Sequence, residues 1–210
     1  MTSLSTQALA FGHLTIAYDG SVLHPRPWTA RQSALAAELA ASAPDGAMLE
    51  IFSGVGHIGL LAAAQAGRDL VQVDANPAAC AFAETNAAAA ELAVSVTVRC
   101  GMLEDALEPH ERFAVVIADP PWVPSDEVTR YPDDPPFAID GGSSGMDLVW
   151  SSLDVIEHHL APGGYAVVQV GPDGQADALV GALDGRALEH VSVERLDRGA
   201  LVALVSPTRR

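Results

Sequence analysis

The sequence predicts an α/β protein: a Rossmann-like, mostly parallel sheet of seven strands with helices on both faces. Short apolar segments alternate along the chain with longer segments of helix-forming residues. This alternation is typical of parallel strands joined by crossover helices. The segment Phe113–Ala118 is apolar at every position, as expected for a strand that is covered on both faces.

The first half of the chain contains β–α repeats after a mixed opening segment. The predicted strands are short and apolar or alternating: Leu14–Tyr18, Ala47–Ile51, Asp69–Val73 and Val94–Val98. The predicted helices cover 31–42, the segment from the glycine-bearing loop 53–59 to about Gly67, and 76–92. Pro44-Asp45-Gly46 is a turn signal that ends the first helix. Asn76-Pro77 opens the third, because proline lacks an N–H that the first helical turn leaves unpaired.

The second half begins with the strand Phe113–Ala118 and a long structured loop, 120–145, which holds six of the 14 prolines. The elements predicted after it are a helix at Asp147–Leu160, a turn at 162–164, a strand at Tyr165–Val170, a helix at 174–183 and strands at 188–195 and 200–205. Open α/β sheets bind ligands at the carboxyl ends of their strands. A site is therefore expected in the loops after Ile51, Val73, Val98 and Ala118.

Composition limits the function classes. The 210 residues are enough for one domain with a full core. The chain has 27 acidic and 11 basic residues, no lysine and a net charge of −16, which argues against a large nucleic-acid footprint. No apolar run is long enough to span a membrane and no signal peptide is visible, so a cytoplasmic protein is expected. Cys80 and Cys100 are interpreted as reduced thiols, and no spacing indicates a metal site.

A glycine-rich loop follows the first buried strand. Gly54, Gly56 and Gly59 form a GxGxxG pattern, in which backbone N–H groups at a helix start can face a ligand. Asp74 comes 20 residues after Gly54, at the end of the next strand, where a carboxylate can accept hydrogen bonds from both ribose hydroxyls. Together these features predict a nucleoside-containing cofactor, with NAD, FAD and S-adenosylmethionine all open.

The fourth loop selects among these cofactors, because it begins Asp119-Pro120-Pro121-Trp122. Enzymes that methylate an amino group need two acceptors for the N–H groups of the substrate. The Asp119 side chain and the Pro120 carbonyl can supply them, and the prolines fix the backbone so that both converge. Trp122 can stack on a planar amide or base. The loop therefore predicts nitrogen methylation, against the alternative of a rigid turn after a buried strand.

With these motifs in place, the sequence resembles the class I S-adenosylmethionine-dependent methyltransferases, and among them the catalytic domain of the HemK-type protein-glutamine N5-methyltransferases. The resemblance runs from about Val22 to the last strand. It includes the segment 22–29 with Arg26, the loop 53–59, the Asp119–Trp122 motif, the Gly-Gly segment 140–147, and Gly171 with Gln175. The diproline motif is shared by several groups of amino-methyltransferases, whereas the Pro-Arg-Pro segment at 25–27 and the Gly-Gly segment are more specific to this one.

The resemblance implies S-adenosylmethionine as cofactor. The residues that it assigns to cofactor binding are Arg26, Glu50, Ser53, Gly54, Gly56, Asp74, Ala75, Gly101, Met102 and Asp119, and those that it assigns to catalysis are Asp119, Pro120 and Trp122. The resemblance divides the chain into a lead-in segment over the cofactor site, 1–30, and a methyltransferase domain, 31–210. The helical domain by which bacterial members recognise release factors has no counterpart in the roughly 30 residues before the first long helix.

Four positions depart from the family pattern. Asp119 replaces asparagine, so the site could hold an amide, an arylamine or a cationic amine. Trp122 replaces tyrosine, and Phe52 replaces the first glycine of the cofactor motif. Gly101 stands where the family has an acidic residue toward adenine, which leaves that contact to backbone groups near Met102 or to the side chain of Glu104 or Asp105.

Two acceptor classes are expected for nitrogen methylation: the side chain of a protein glutamine, as the resemblance implies, or a small-molecule amine or amide. Third alternatives are a nucleic-acid adenine, which the net charge disfavours, and a cofactor-binding subunit without catalysis. The mean hydropathy of +0.21 suggests a homodimer or a small activating partner.

Several further side chains have competing interpretations. Arg26 could bind the cofactor carboxylate or form a surface salt bridge, and Trp28 could cover the site or only pack. We interpret His57 as a surface residue at a helix start rather than a base, and Trp150 as core. The acidic residues of the long loop are expected to be solvated: Asp126, Glu127, Asp133 and Asp134. His158 and His159, near the end of a predicted helix, are expected to interact favourably with its C-terminus.

Overall fold

A computed structural model describes residues 5–172 and 174–208. Its strands are β1 (Gln7–Phe11), β2 (Leu14–Tyr18), β3 (Met48–Ile51), β4 (Leu70–Asp74), β5 (Val96–Cys100), β6 (Phe113–Ala118), β7 (Leu160–Val170), β8 (Glu189–Leu196) and β9 (Gly199–Val205). Its α-helices are α1 (Ala30–Ala40), α2 (His57–Ala66), α3 (Pro77–Ala90), α4 (Leu103–Ala106), α5 (Asp147–His159) and α6 (Gln175–Gly181). Three short 3₁₀ turns lie at Pro27–Thr29, Val128–Arg130 and Pro136–Ala138.

The main sheet has seven strands in the order β5-β4-β3-β6-β7-β9-β8. Strands β3 to β7 are parallel, and β9 runs antiparallel to both β7 and β8. The strand order reverses between β3 and β6, so the carboxyl ends of these two strands flank a crevice where such sheets bind ligands. The seven-stranded, mostly parallel sheet expected from the sequence is confirmed.

Each face of the sheet buries its own apolar core. One core contains side chains of α5 and α6, such as Leu153 and Leu179, against β6 and β7. The other contains α1, α2 and α3 together with the β1–β2 hairpin, whose Phe11 and Ile16 are fully buried. Coverage on both faces explains why β6 is apolar throughout. None of the helices in the described part of the chain has the length and apolar character that a membrane crossing requires.

The structure corrects the sequence prediction in three places. The lead-in contains a two-stranded hairpin, of which only β2 was predicted. A short helix, α4, follows β5, which ends at Cys100 rather than Val98. The turn predicted at Pro162-Gly163-Gly164 is an irregularity within β7, where the pairing with β6 shifts register. Its backbone groups are satisfied by the chain after β9, since Gly163 N donates to Ser206 O at 2.6 Å.

Candidate active site

The loop after β3 turns sharply into α2. Phe52, Gly54 and Gly56 all have positive φ, at 55°, 53° and 82°. A Cβ on Gly56 would lie 2.7 Å from the amide nitrogen of Gln72, so this position requires glycine. Phe52 adopts the left-handed conformation of the glycine that it replaces, at a cost of about 1–2 kcal/mol, while its ring packs on the core. The departure at Phe52 therefore preserves the loop.

Glu50 stabilises this loop through hydrogen bonds. Its Oε1 accepts a hydrogen bond from Gly59 N at 2.9 Å and its Oε2 accepts one from the Gln72 side chain at 2.6 Å. The same Gln72 amide donates to Gly56 O at 2.8 Å. Burial raises the pKa of Glu50 to about 8, with a smaller contribution from the charges of Asp119 and Asp74. Both oxygens of Glu50 are thus used within the protein, and Glu50 positions the loop.

Asp74, at the end of β4, accepts hydrogen bonds from the glycine loop and from the residue before α3. Its Oδ2 accepts from Gly54 N at 2.7 Å and its Oδ1 from Asn76 N at 2.8 Å. Burial raises the pKa of the carboxyl group, and these backbone donors oppose that rise. The cap of α3 is Asn76, whose side chain accepts from Ala78 N at 3.0 Å. Asp74 is therefore free of the capping role, and its carboxylate can accept further hydrogen bonds from a ligand.

Open space lies above these loops. A Cβ added to Gly54 or Gly101 would meet no atom within 4 Å. Gly101 is fixed beside the site, because its N–H donates to Asp74 O at 2.9 Å. The hydroxyl of Ser53 is buried and has no hydrogen-bond partner among the described residues. An open cradle with an unpartnered hydroxyl and a carboxylate fits a polar ligand that carries hydroxyl groups.

Asp119 lies at the end of β6, on the other side of the crevice. The preceding residue is held by Gln32 of α1, whose amide donates to Ala118 O at 2.9 Å and more weakly to Val167 O at 3.3 Å. The Asp119 carboxylate is half-buried and has no hydrogen-bond or ion-pair partner in the described ranges. Burial raises its pKa to about 7. A desolvated carboxylate without a partner is costly to the fold, so the side chain is available to a ligand.

Trp122 is fixed by Gln175 at the start of α6. The Gln175 amide donates to Trp122 O at 3.0 Å, and its Oε1 accepts from Gly171 N at 2.8 Å. A Cβ on Gly171 would come within 2.5 Å of the Trp122 ring, so glycine is required where the ring lies on the backbone. The sequence-predicted pair Gly171 and Gln175 thus acts on the aromatic residue of the diproline motif.

The Gly-Gly segment closes the loop that begins at Trp122. Val123 and Asp140 form a parallel bridge, and Asp140 Oδ1 accepts from Ser125 Oγ at 2.7 Å and Gly142 N at 2.9 Å. These bonds hold the pKa of Asp140 below its usual value. A Cβ on Gly145 would clash with Trp122 O, at 2.2 Å. The segment therefore holds the backbone of the diproline motif in one conformation.

Comparisons with known proteins relate this chain to methyltransferases. Residues 31–131 match the family described as "Methyltransferase small domain". The chain is 32% identical to the release factor glutamine methyltransferase of Koribacter versatilis, over 72% of this chain and 55% of that protein. It is 33% identical to the protein of the same name from Geobacter sulfurreducens, over 77% and 57%. The chain thus spans just over half the length of these relatives.

A solved structure shows the same fold. The methyltransferase from Pyrococcus furiosus superposes with a TM-score of 0.67 at 18% identity, covering 94% of this chain and 91% of that one. The chain is a class I methyltransferase that resembles the HemK type. The sequence motifs indicate S-adenosylmethionine as cofactor, and a similar solved structure, an RNA methyltransferase from Salinibacter ruber at 19% identity and a TM-score of 0.54, is in complex with S-adenosylhomocysteine, covering 89% of this chain and 95% of that one.

The interpretations of Arg26, Asp134 and His57 can now be compared with the structure. Arg26 forms an ion pair with Asp134 at 2.5 Å, so of its two interpretations the salt bridge is found, and Asp134 is not a freely solvated acid. The prediction that His57 is a surface residue is wrong: it is half-buried at the start of α2. Its Nε2 lies 3.2 Å from Thr29 Oγ1, its ring contacts Phe11 edge-on, and burial lowers its pKa to about 3.

The remaining expectations concern core residues, a helix end, the cysteines and metal ligands. Trp150 packs on the core of the α5 face, as expected, and Trp28 is half-buried in the 3₁₀ turn before α1. His159 lies in the last turn of α5 but is buried, and burial lowers its pKa, which disfavours the positive charge that would interact with the helix C-terminus. Cys80 and Cys100 are free thiols. Within residues 5–172 and 174–208, no group of three metal-ligating side chains occurs.

Sequence reasoning missed three buried amides that organise the site: Gln32, Gln72 and Asn86. Asn86 of α3 accepts from Ala17 N at 2.8 Å and donates to Ala17 O at 3.0 Å and Val55 O at 2.9 Å, which joins the hairpin to the glycine loop. All three are almost completely buried. A polar side chain at a core position was the available signal, because buried amides persist only where they are hydrogen-bonded.

The contacts of Gln175 predict a positioning role. Gln175→Ala removes a donor to Trp122 O and an acceptor for Gly171 N, so Trp122 loses its fixed orientation. We expect kcat for methyl transfer to fall by about tenfold to a hundredfold, because small displacements of an aligned acceptor are costly. The dissociation constant for S-adenosylmethionine should stay within about twofold, since Gln175 lies outside the glycine loop.

Steady-state kinetics and cofactor titration test this expectation side by side. Gln65→Ala, at an exposed position of α2, is the control and should change neither quantity. A Gln175→Ala enzyme that loses cofactor affinity and kcat in equal measure would contradict the positioning role.

Proposed function

We propose that this chain catalyses S-adenosylmethionine-dependent methylation of nitrogen and that its acceptor is the side-chain amide of a protein glutamine. The observation that carries the proposal is the pair of unpartnered acceptors at the end of β6. The Asp119 carboxylate and the Pro120 carbonyl accept no hydrogen bond within the described ranges, and they directly follow β6, whose neighbour β3 leads into the glycine loop. The names of the relatives support glutamine as the acceptor.

On the cofactor side, the proposal assigns one carboxylate, one hydroxyl and several loop residues to binding. Asp74 would accept hydrogen bonds from the ribose hydroxyls, and Ser53 has the unpartnered hydroxyl beside it. Gly54 and Gly101 leave room for the cofactor against the backbone, and Ala75 and Met102 belong to the neighbouring loops. Gly56 would act through the turn that it allows, because a Cβ there would meet Gln72. Glu50 would act indirectly, by holding the glycine loop. S-adenosylmethionine, when bound, supplies an electrophilic methyl group on a sulfonium.

On the acceptor side, the side chains orient one nitrogen. Asp119 would accept one N–H of the acceptor and the Pro120 carbonyl the other, which turns the nitrogen lone pair toward the cofactor crevice. Trp122 would stack on the planar amide. The rigid prolines and the contacts of Gln32 and Gln175 hold these groups in place before the acceptor binds, so that alignment supplies most of the rate. Asp119 is also placed to take the proton that the nitrogen loses.

The proposal also covers the lead-in segment, the cellular location and the type of acceptor. The lead-in 1–30 would help to cover the site, because Arg26 pairs with Asp134 of the loop that follows Trp122. A cytosolic location fits the free thiols of Cys80 and Cys100. A protein acceptor, rather than a nucleic acid, fits the net charge of −16.

Asp119 specifically favours a second candidate, a small-molecule amine. A partly buried carboxylate with Glu50 and Asp74 nearby binds a cationic nitrogen more strongly than it binds a neutral amide. The family asparagine would not provide this charge. Glutamine remains the first candidate because the resemblance to glutamine methyltransferases extends over most of the chain.

The test is transfer of an isotope-labelled methyl group from S-adenosylmethionine to defined acceptors. Two peptides that differ only by glutamine or asparagine at one position are compared with a panel of primary amines and with DNA and RNA oligonucleotides. We expect label on the glutamine peptide and, by tandem mass spectrometry, on the side-chain nitrogen. Label on amines or oligonucleotides alone, or on no acceptor despite cofactor binding, would overturn the glutamine proposal.

A further inference from the structure

The surface beside the site exposes two aromatic side chains. In residues 5–172 and 174–208 the exposed large hydrophobic residues are Met102, Tyr131, Phe137 and Val191. Tyr131 and Phe137 lie in the loop that starts at Trp122, with 40% and 60% of their surface exposed. Val191 is on the distant edge strand β8, and Met102 belongs to the proposed cofactor side. Two exposed aromatic side chains within one loop that follows the diproline motif suggest a surface that binds a partner.

These two aromatic residues are presented by an ordered loop. Residues 123 and 140 pair with each other, and Arg26 holds Asp134 between the two aromatic positions. Tyr131 closes one 3₁₀ turn by donating from its N–H to Val128 O at 3.0 Å, and Phe137 lies within another. Fixed backbone reduces the conformational entropy that a binding surface loses on association. The exposed rings therefore form a prepared surface rather than a collapsed loop.

The charge around the rings defines the partner. Loop 123–140 contains five acidic residues and one arginine, Arg130, and Arg130 pairs with Glu127 at 2.8 Å. Asp126 and Asp133 are exposed and form no salt bridge in the described ranges. Such a surface attracts a basic polypeptide and repels phosphate.

We propose that Tyr131 and Phe137, with Asp126 and Asp133 at their rim, form a docking surface for a basic, apolar-bearing segment of the protein that carries the acceptor. This inference rests on the proposed function, since the loop leads directly from the acceptor-binding motif. The two rings bury apolar side chains of the segment, and the rim carboxylates face its arginines or lysines. The surface thereby selects which glutamine reaches Asp119.

Peptide binding tests the docking surface without requiring turnover. Two fluorescein-labelled peptides of equal length carry one central glutamine and two leucines, flanked by arginines in one and by glutamates in the other. Anisotropy is measured with the full chain saturated with S-adenosylhomocysteine. We expect the arginine peptide to bind at least about tenfold more tightly, which corresponds to ~1.4 kcal/mol, and its affinity to fall with added salt.

Variants then separate the surface from the catalytic groups. Tyr131→Ser combined with Phe137→Ser should weaken arginine-peptide binding by about tenfold, and Asp126→Asn combined with Asp133→Asn should reduce its salt dependence. Both variants should keep the wild-type melting temperature and S-adenosylhomocysteine affinity, and the control Val191→Ser should bind the peptide normally. Equal binding of the two peptides, no peptide binding, unchanged binding by the ring variant, or displacement of the peptide by a single-stranded RNA would overturn the docking surface.

The outcomes also separate this inference from the proposed function. Selective peptide binding without methyl transfer to any glutamine would support the surface and contradict the proposed reaction. Methyl transfer to glutamine peptides regardless of their flanking charge would support the proposed reaction and contradict the docking surface.

Discussion

Replacing Asp119 with alanine is expected to reduce kcat/KM for methyl transfer by about a hundredfold or more while leaving cofactor affinity within about twofold. The half-buried carboxylate has no other partner in the described part of the chain, so its removal costs the acceptor one of its two hydrogen bonds and its alignment. The glycine loop, Glu50 and Asp74 keep all their mutual contacts. Kinetics with a glutamine peptide and titration with S-adenosylmethionine measure the two effects separately.

Asp119→Asn is the matched variant, because it restores the residue of the resembled family and removes only the charge. Burial raises the pKa of Asp119 to about 7, so the carboxylate, which accepts N–H groups more strongly than the acid does, predominates above that pH. In the wild type, kcat/KM should rise with pH through about 7. In Asp119→Asn it should be flat across the same range and close to the wild-type value at pH 6.

The activity of Asp119→Asn depends on the class of acceptor, so this variant also distinguishes the two candidate functions. An amide acceptor needs an oxygen at position 119, which asparagine provides, and activity should survive in Asp119→Asn. A cationic amine needs the negative charge and a proton acceptor, and transfer should then fall in Asp119→Asn nearly as far as in Asp119→Ala. Near-normal turnover of Asp119→Ala on every acceptor would remove residue 119 from the reaction.

The parts of the fold that the sequence predicted are those set by local patterns. The strand at Phe113–Ala118 was located to the residue, because burial on both faces leaves no polar position in it. Missed elements depend on distant partners. The strand at 7–11 is mostly exposed on its own and is defined by pairing with β2, and the irregular residues 162–164 are held in β7 by the chain after residue 205. Composition alone does not specify such pairings.

The sequence predicted which loops lie together at this edge of the sheet, but not the contacts within them. The loops after β3, β4 and β6 hold the expected residues because the carboxyl ends of parallel strands converge. Which side chains hold these loops was not predictable, since the pairs are far apart in sequence: Arg26 with Asp134, and Gln32 with Ala118 O. An arginine near the site suits a cofactor carboxylate equally well, and only the folded chain shows that an acidic residue 108 positions away reaches it at 2.5 Å.

The second large effect is expected at Asp74, whose replacement by alanine should weaken S-adenosylmethionine binding by about tenfold or more, ~1.4 kcal/mol. Asp74→Ala removes the acceptor of the Gly54 and Asn76 N–H groups, so the glycine loop loses its connection to β4. It also removes the carboxylate proposed to hold the ribose. Both effects reduce the same affinity, which calorimetric titration with S-adenosylmethionine and S-adenosylhomocysteine measures directly.

Asp69→Ala is the control for Asp74→Ala, because Asp69 also accepts a backbone N–H, from Ser95 at 2.8 Å, but precedes β4 at the opposite edge of the sheet. It should bind both ligands as the wild type does. Asp74→Asn keeps one acceptor oxygen while its amide faces a backbone donor, so an affinity between those of wild type and Asp74→Ala is expected. If Asp74→Ala and Asp69→Ala bound S-adenosylmethionine equally well, the ribose would lie elsewhere, and the open space above Gly54 and Gly101 would need another ligand.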